Sequence, residues 1–100
     1  MAPLNLRLVK RAERQISEIL DYIAMDNPDA AEKVAAHIEL VLENARSFPD
    51  VGRKIFPDLP YREAFAYPCR MIYRRIGETL WVVAVLRVEQ LLRREMLNDH

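Results

Sequence analysis

Apolar residues recur along this chain with two different periods. From Ala12 the spacing is helical. Ala12, Ile16, Ile19, Leu20 and Ile23 fall at i, i+4, i+7, i+8 and i+11, which places them on one face. This helix should end before Asp26-Asn27-Pro28, because a residue preceding proline is pushed out of the helical region. The same tripeptide starts a second helix: Asn27 can cap, Pro28 suits the first helical position, and Asp29 favours the positive end of the dipole. Ala31, Val34, Ala35, Ile38, Val41, Leu42, Ala45 and Phe48 form its apolar stripe, and Phe48-Pro49-Asp50-Val51-Gly52 ends it. Two helices joined by so short a break fold back as an antiparallel hairpin.

Elsewhere the period is that of strands. Asn5 to Lys10 alternates partially and reads as an edge strand. Tyr61 to Tyr67 is strand-like and broken by Pro68. Cys69 to Ile76 and Thr79 to Val88 are β-rich, with Gly77-Glu78 between them as a two-residue hairpin turn. Strict alternation along the last of these puts Trp81, Val83 and Val85 on one face and Leu80, Val82, Ala84 and Leu86 on the other. A strand apolar on both faces is covered on both. The helical hairpin covers one face; the C-terminal segment or another chain must cover the other. Glu89 to Leu97 reads as a short basic helix, with Leu91, Leu92 and Met96 towards one side.

The predicted order is strand, helix, helix, then three strands. It gives an α+β fold over residues 1–100: an N-terminal strand, a helical hairpin packed on one face of a small antiparallel meander, and a short C-terminal helix or tail. Fifty-one percent apolar residues excludes a disordered tail, and a chain of 100 residues can bury roughly two thirds of its unfolded surface in one core.

Charge changes this picture more than composition does. Fifteen Lys and Arg balance fifteen Asp and Glu, which argues against a protein that coats nucleic acid. The balance hides an asymmetry: residues 11–50 hold four basic and nine acidic side chains, residues 51–97 nine basic and five acidic. Such a split suggests a charged partner. A single cysteine, Cys69, permits no intrachain disulfide, and the longest strongly apolar run, Leu80 to Leu86, is far shorter than the roughly twenty residues of a membrane helix. The first residues show no signal-peptide pattern, so the expected setting is the cytoplasm, away from any membrane.

Catalytic chemistry is sparse. His37 and His100 have no Cys or His neighbour at ligand spacing, so no metal or other cofactor is expected, and Cys69 reads as a small buried thiol. The basic half is richer. Arg53, Arg62, Arg70, Arg74, Arg75 and Arg87 lie on or beside strands, interleaved with Tyr61, Tyr67 and Tyr73. Arginine can hold a phosphate, and a tyrosine can stack on a base or move a proton. Equally, these arginines can pair with Glu63 and Glu78, or with a partner's acidic segment.

The segments together resemble the RelE/ParE toxin superfamily. Asp21-Tyr22-Ile23-Ala24 followed by Asn27-Pro28-Asp29-Ala30-Ala31 is similar to its first helix and inter-helix turn. Pro49-Asp50-Val51-Gly52-Arg53 resembles its Pro-x-x-Gly-Arg turn. Arg62-Glu63, Tyr67-Pro68-Cys69-Arg70-Met71-Ile72-Tyr73-Arg74 and Leu86-Arg87-Val88 resemble its strands. Five short motifs stand in register over nearly the whole chain.

The resemblance implies the toxin of a bacterial toxin–antitoxin pair, held inactive in a hetero-oligomer by a small antitoxin. RelE-like members cut messenger RNA on the ribosome; ParE-like members poison DNA gyrase by binding. For a nuclease, the resemblance assigns phosphate contacts to Arg53, Arg70 and Arg87 and proton transfer to Tyr73. Arg87-Val88-Glu89-Gln90 lacks the histidine that many RelE-like members carry there, and the turn around Asn27-Pro28 with its long second helix looks more ParE-like. The resemblance therefore implies a gyrase poison neutralised by a ParD-like antitoxin, with the ribosomal nuclease as the alternative. Antitoxin contacts are expected at Arg70, Tyr73, Arg74, Trp81, Val83 and Arg87.

Overall fold

The structure, a computed structural model, describes residues 2–97; His100 lies outside them. Strand β1 (Asn5–Leu8) leads into helices α1 (Lys10–Asp26) and α2 (Pro28–Ser47), followed by β2 (Arg53–Lys54), β3 (Arg62–Ala66), β4 (Cys69–Ile76), β5 (Thr79–Arg87) and a 3-10 turn at Arg94–Leu97. The five strands form one sheet in the order β1-β5-β4-β3-β2. Pairing is antiparallel except at β1, which lies parallel to β5 with Leu6 opposite Leu80 and Leu8 opposite Val82.

The helical hairpin forms as its capping signals dictate. Asn27 alone separates the two helices, and its Oδ1 accepts a hydrogen bond from the Ala30 N–H at 3.1 Å. Pro28 occupies the first turn. The hairpin buries Ala12, Ile19, Ile38, Leu42 and Ala45 against Met71, Tyr73, Leu80, Val82 and Val85 of the sheet. At the β4–β5 turn Gly77 has φ +59° while, among the described residues, no other residue type has positive φ, the pattern of a II′ hairpin in which Gly stands first.

Two expectations change, and an alternative left open is decided. First, β5 does not alternate strictly. Ile72 pairs with Ala84 and Tyr73 with Val82, so Val83 is an extra residue, a β-bulge. Past the bulge the phase flips: Leu80, Val82 and Val85 pack with the helices, whereas Val83 and Ala84 pack together on the opposite face. Side chains of α1 satisfy the edge of β5 here. Arg11 donates to the Val83 carbonyl through Nε at 3.2 Å and a terminal nitrogen at 2.8 Å, and Gln15 Oε1 accepts from the Val85 N–H at 2.7 Å.

Second, of the short helix or tail expected from Glu89 to Leu97, the structure forms a tail whose one helical stretch is a 3-10 turn. The rest of it runs as irregular chain. Third, this chain closes its own second face. Leu97 is buried with Tyr61, Ile72, Val83 and Ala84, and Ile55, Phe56, Leu59, Trp81 and Leu92 pack around them. The second sheet face, which the hydrophobic pattern leaves to the C-terminal segment or to another chain, is therefore occupied by the chain's own tail and by the loop between β2 and β3.

Candidate functional site

Glu63 is the hub of the basic half. It is the one charged side chain in the buried core among the described residues, 2% exposed, on the sheet face opposite the helices. Such a carboxylate is stable only if paired and hydrogen-bonded. Two arginines supply this. Arg70, diagonal to it on β4, donates to Oε1 from Nε at 3.1 Å and from a terminal nitrogen at 2.9 Å. Arg53, opposite it on β2, donates to Oε2 from Nε at 2.8 Å. Arg70 is largely covered, its side chain 13% exposed, whereas that of Arg53 is 74% exposed. A further Arg70 nitrogen reaches the Gln90 carbonyl at 3.1 Å and ties the tail to the cluster.

The other sequence candidates lie elsewhere. Tyr73 is buried under the helices, 1% exposed. Burial raises its phenol above the ordinary 10.0, against the smaller opposing effects of the Arg62 charge and a hydrogen bond with the Gly52 backbone. Gly52 has to be glycine for this approach, since a Cβ there would overlap the phenol oxygen of the buried Tyr73. Arg87 pairs with Cys69 on the helix face, and its guanidinium stacks 4.5 Å from the ring centre of Tyr22 on α1. Burial raises the Cys69 thiol above its ordinary value, with the Arg87 charge opposing, so this thiol is an unreactive one. Arg74 lies 5.6 Å from the Tyr61 ring.

The structure thus brings Arg53 and Arg70 together and separates both from Tyr73 and Arg87. The bulge is the physical reason for Arg87: unbroken alternation would carry it to the face of Trp81, and one extra residue turns it to the helices. Of the expected antitoxin contacts, Tyr73 and Val83 are wholly buried within the chain, while Arg70, Arg74, Trp81 and Arg87 keep exposed parts. Sequence reasoning named Glu63 only as one possible partner of the arginines. Its signal was the lone carboxylate in Tyr61-Arg62-Glu63-Ala64-Phe65-Ala66, a strand otherwise rich in apolar residues. Among the described residues no three His, Cys, Asp or Glu side chains gather as a metal site, and no described helix is long and apolar enough to cross a membrane.

Similarity to known proteins agrees with this architecture. The chain is 28% identical over 99 residues to a Sinorhizobium fredii protein named "Putative toxin Y4kP", spanning 90% of this chain and 94% of that protein. Its fold is similar to a chain of the chromosomal ParDE toxin–antitoxin system of P. aeruginosa, with TM-score 0.70 and 21% identity over 86% of this chain and 97% of that one. It is also similar to a chain of the RelBE2 toxin–antitoxin complex of Mycobacterium tuberculosis, with TM-score 0.63 and 19% identity over 86% and 99%. At these identities the two structures speak to fold alone. The profile of the ParE toxin of type II toxin–antitoxin systems, parDE, matches residues 6–92, most of the sequence, and the chain belongs to that family.

Proposed function

We propose that this protein is a ParE-like toxin that acts by binding DNA gyrase in the cytoplasm and is neutralised by a ParD-like antitoxin. The observation that carries this reading is the buried Glu63 between Arg53 and Arg70. A nuclease of the RelE kind needs cations free to meet a phosphate and a group near neutral pKa to move a proton. Here the two cations that share a face already share a carboxylate. Tyr73, the candidate proton carrier, is buried on the other face with its phenol pushed further from neutrality. A cluster so tied to one buried carboxylate is a rigid structural element, which suits a protein acting through its surface. Arg70, Arg74, Trp81 and Arg87 remain the antitoxin-contact candidates with exposed parts.

Induction of the chain alone in bacteria tests this. The expected result is growth arrest with gyrase-dependent DNA breaks and an SOS response, relieved by the antitoxin encoded beside the toxin. The double variant Arg70→Ala/Tyr73→Phe checks the nuclease residues separately: with soluble protein at normal levels, toxicity should persist. Arrest with messages cut at the ribosomal A site, abolished by that variant, supports the nuclease instead.

A further inference from the structure

Tyr22, in the Asp21-Tyr22-Ile23-Ala24 segment, is 59% exposed and yet has a fixed neighbour. The Arg87 guanidinium lies 4.5 Å from the centre of its ring. The meeting of the two follows from how α1 treats the outer edge of β5. Strand β1 pairs with only the first half of that edge, ending with Leu8 opposite Val82. Beyond it, side chains of α1 stand where a further strand would. Arg11 donates to the Val83 carbonyl, Gln15 accepts from the Val85 N–H, and Tyr22 meets Arg87.

The spacing explains this match. Four residues of helix advance about 6 Å and two residues of strand about 6.8 Å, so Arg11 and Gln15 keep step with positions 83 and 85. Seven more residues of helix advance about 10.5 Å, and an aromatic side chain leaning back towards the helix N-terminus brings its ring to position 87.

Arg87 differs from its neighbours in what its donors do. Arg53 and Arg70 are engaged by Glu63, and Arg94 by Asp58. Arg62 and Arg75 donate to the carbonyls of Gly52 and Gly77. The Arg87 guanidinium forms no ion pair and no hydrogen bond among the described residues. Carboxylates are nevertheless close at hand. Glu18 and Glu89 line the same open hollow of about 410 Å³ as Arg87, and Glu18 is held only by the exposed Arg14 at 3.8 Å. A free arginine beside them would fold in and pair. The Tyr22 ring instead holds the guanidinium by its face and leaves the N–H groups at its edge open.

We propose that Tyr22 is a positioning residue for Arg87: the stack keeps the guanidinium away from Glu18 and Glu89, with its donors ready for a carboxylate of the antitoxin. This rests on the reading of Arg87 as an antitoxin contact. Tyr22 acts through Arg87, by removing beforehand the rotamer freedom that binding would otherwise have to freeze.

Two measurements on the purified full chain test it. Arginine side-chain NMR reads the stack: Arg87 signals should be shifted upfield by the ring in wild type and in Tyr22→Phe, and lie at ordinary arginine positions in Tyr22→Leu. Calorimetry with the antitoxin encoded beside the toxin reads its use. Tyr22→Leu should weaken binding about three- to fivefold, and Tyr22→Phe should restore it. Arg87→Gln should weaken binding about tenfold, and adding Tyr22→Leu to that variant should cost nothing further. Unchanged Arg87 signals in Tyr22→Leu overturn the proposal. So does a Tyr22→Leu variant that binds as tightly as wild type. A loss that persists in full beside Arg87→Gln overturns it too, because Tyr22 then touches the antitoxin itself. Normal binding by Arg87→Gln removes Arg87 from the antitoxin contacts and with it the use of the stack; upfield Arg87 signals in wild type separate that failure from the absence of a stack.

Discussion

The two faces of the sheet are sealed in different ways. One carries α1 and α2, whose apolar stripes interlock with Met71, Leu80, Val82 and Val85. The other is closed by the loop between β2 and β3 and by a tail with one 3-10 turn, around Ile72, Val83, Ala84 and Leu97. Residues at both centres are equally buried: Leu80 is 0% and Leu97 1% exposed. What differs is the cover. A helical hairpin carries its own backbone hydrogen bonds and moves as a unit, whereas an irregular segment is held by a few anchors and opens locally at lower cost. Equal burial therefore need not mean equal stability.

Substitutions in the two cores break or sharpen this contrast. Leu80→Ala should lose about 3 to 4 kcal/mol in denaturant unfolding, because helices and strands on every side limit collapse of the cavity. Leu97→Ala should lose less, about 1 to 2 kcal/mol, because the tail can lift or settle into the space. Equal losses would erase the distinction. Native-state hydrogen exchange gives the same comparison without mutation, with slower exchange expected on the β4–β5 ladder than along residues 89–97.

Glu63→Gln probes the polar seam between the tail and the sheet. It leaves the partly buried Arg70 without its carboxylate. A fully buried broken pair costs about 3 to 5 kcal/mol, and exposure of Arg53 with partial hydration of Arg70 lowers the expectation to about 2 kcal/mol. The loss should be accompanied by faster exchange in residues 89–97, since Arg70 also holds the Gln90 carbonyl. On the helix side, Arg11→Ala should cost about 1 kcal/mol through the carbonyl of the bulged Val83, with no effect on the tail.

The smallest effect is expected at the outer anchor of the tail, Arg94 with Asp58. Both side chains are at least half exposed, so Arg94→Gln should change stability slightly, and added salt should erase the difference. The hydrogen bonds from Arg94 hold the Asp58 carboxyl below its ordinary 3.8, against a smaller desolvation effect. A lowered acid pKa means that this contribution is present above about pH 3.8 and is lost as pH falls below it, through the folded value. Carboxyl NMR titration of wild type and Arg94→Gln checks the direction: the variant's Asp58 should titrate nearer the ordinary value.

The sequence made the helix-covered face legible and left the other obscure, for physical reasons. Helical stripes of five and eight apolar residues with Asn27-Pro28 between them admit one arrangement. So does Gly77 between two β-rich runs. In contrast, Leu80 to Leu86 is apolar at every position, so a bulge leaves no mark on the hydrophobic pattern. Strict alternation mis-assigned the faces beyond Val83 and with them Arg87. The two-residue strand Arg53–Lys54 is polar and short enough to read as part of a turn. The parallel pairing of β1 with β5 is a matter of strand order, which period cannot reveal. Glu89 to Leu97 carries helix-like spacing, but its path is decided by where Leu92 and Leu97 can be buried. At the site, the pairing of Arg53 and Arg70 with Glu63 was among the possibilities that residue types allowed; only the register of β2, β3 and β4 selected it.

The central claim is that this chain poisons through binding, and purified DNA gyrase tests it most directly. With supercoiled plasmid, ATP and the purified toxin, the account predicts accumulation of gyrase-bound cleaved DNA that rises with toxin concentration and disappears on adding its antitoxin. Undisturbed gyrase at excess toxin, with messenger RNA cut on programmed ribosomes by the same preparation, would contradict it.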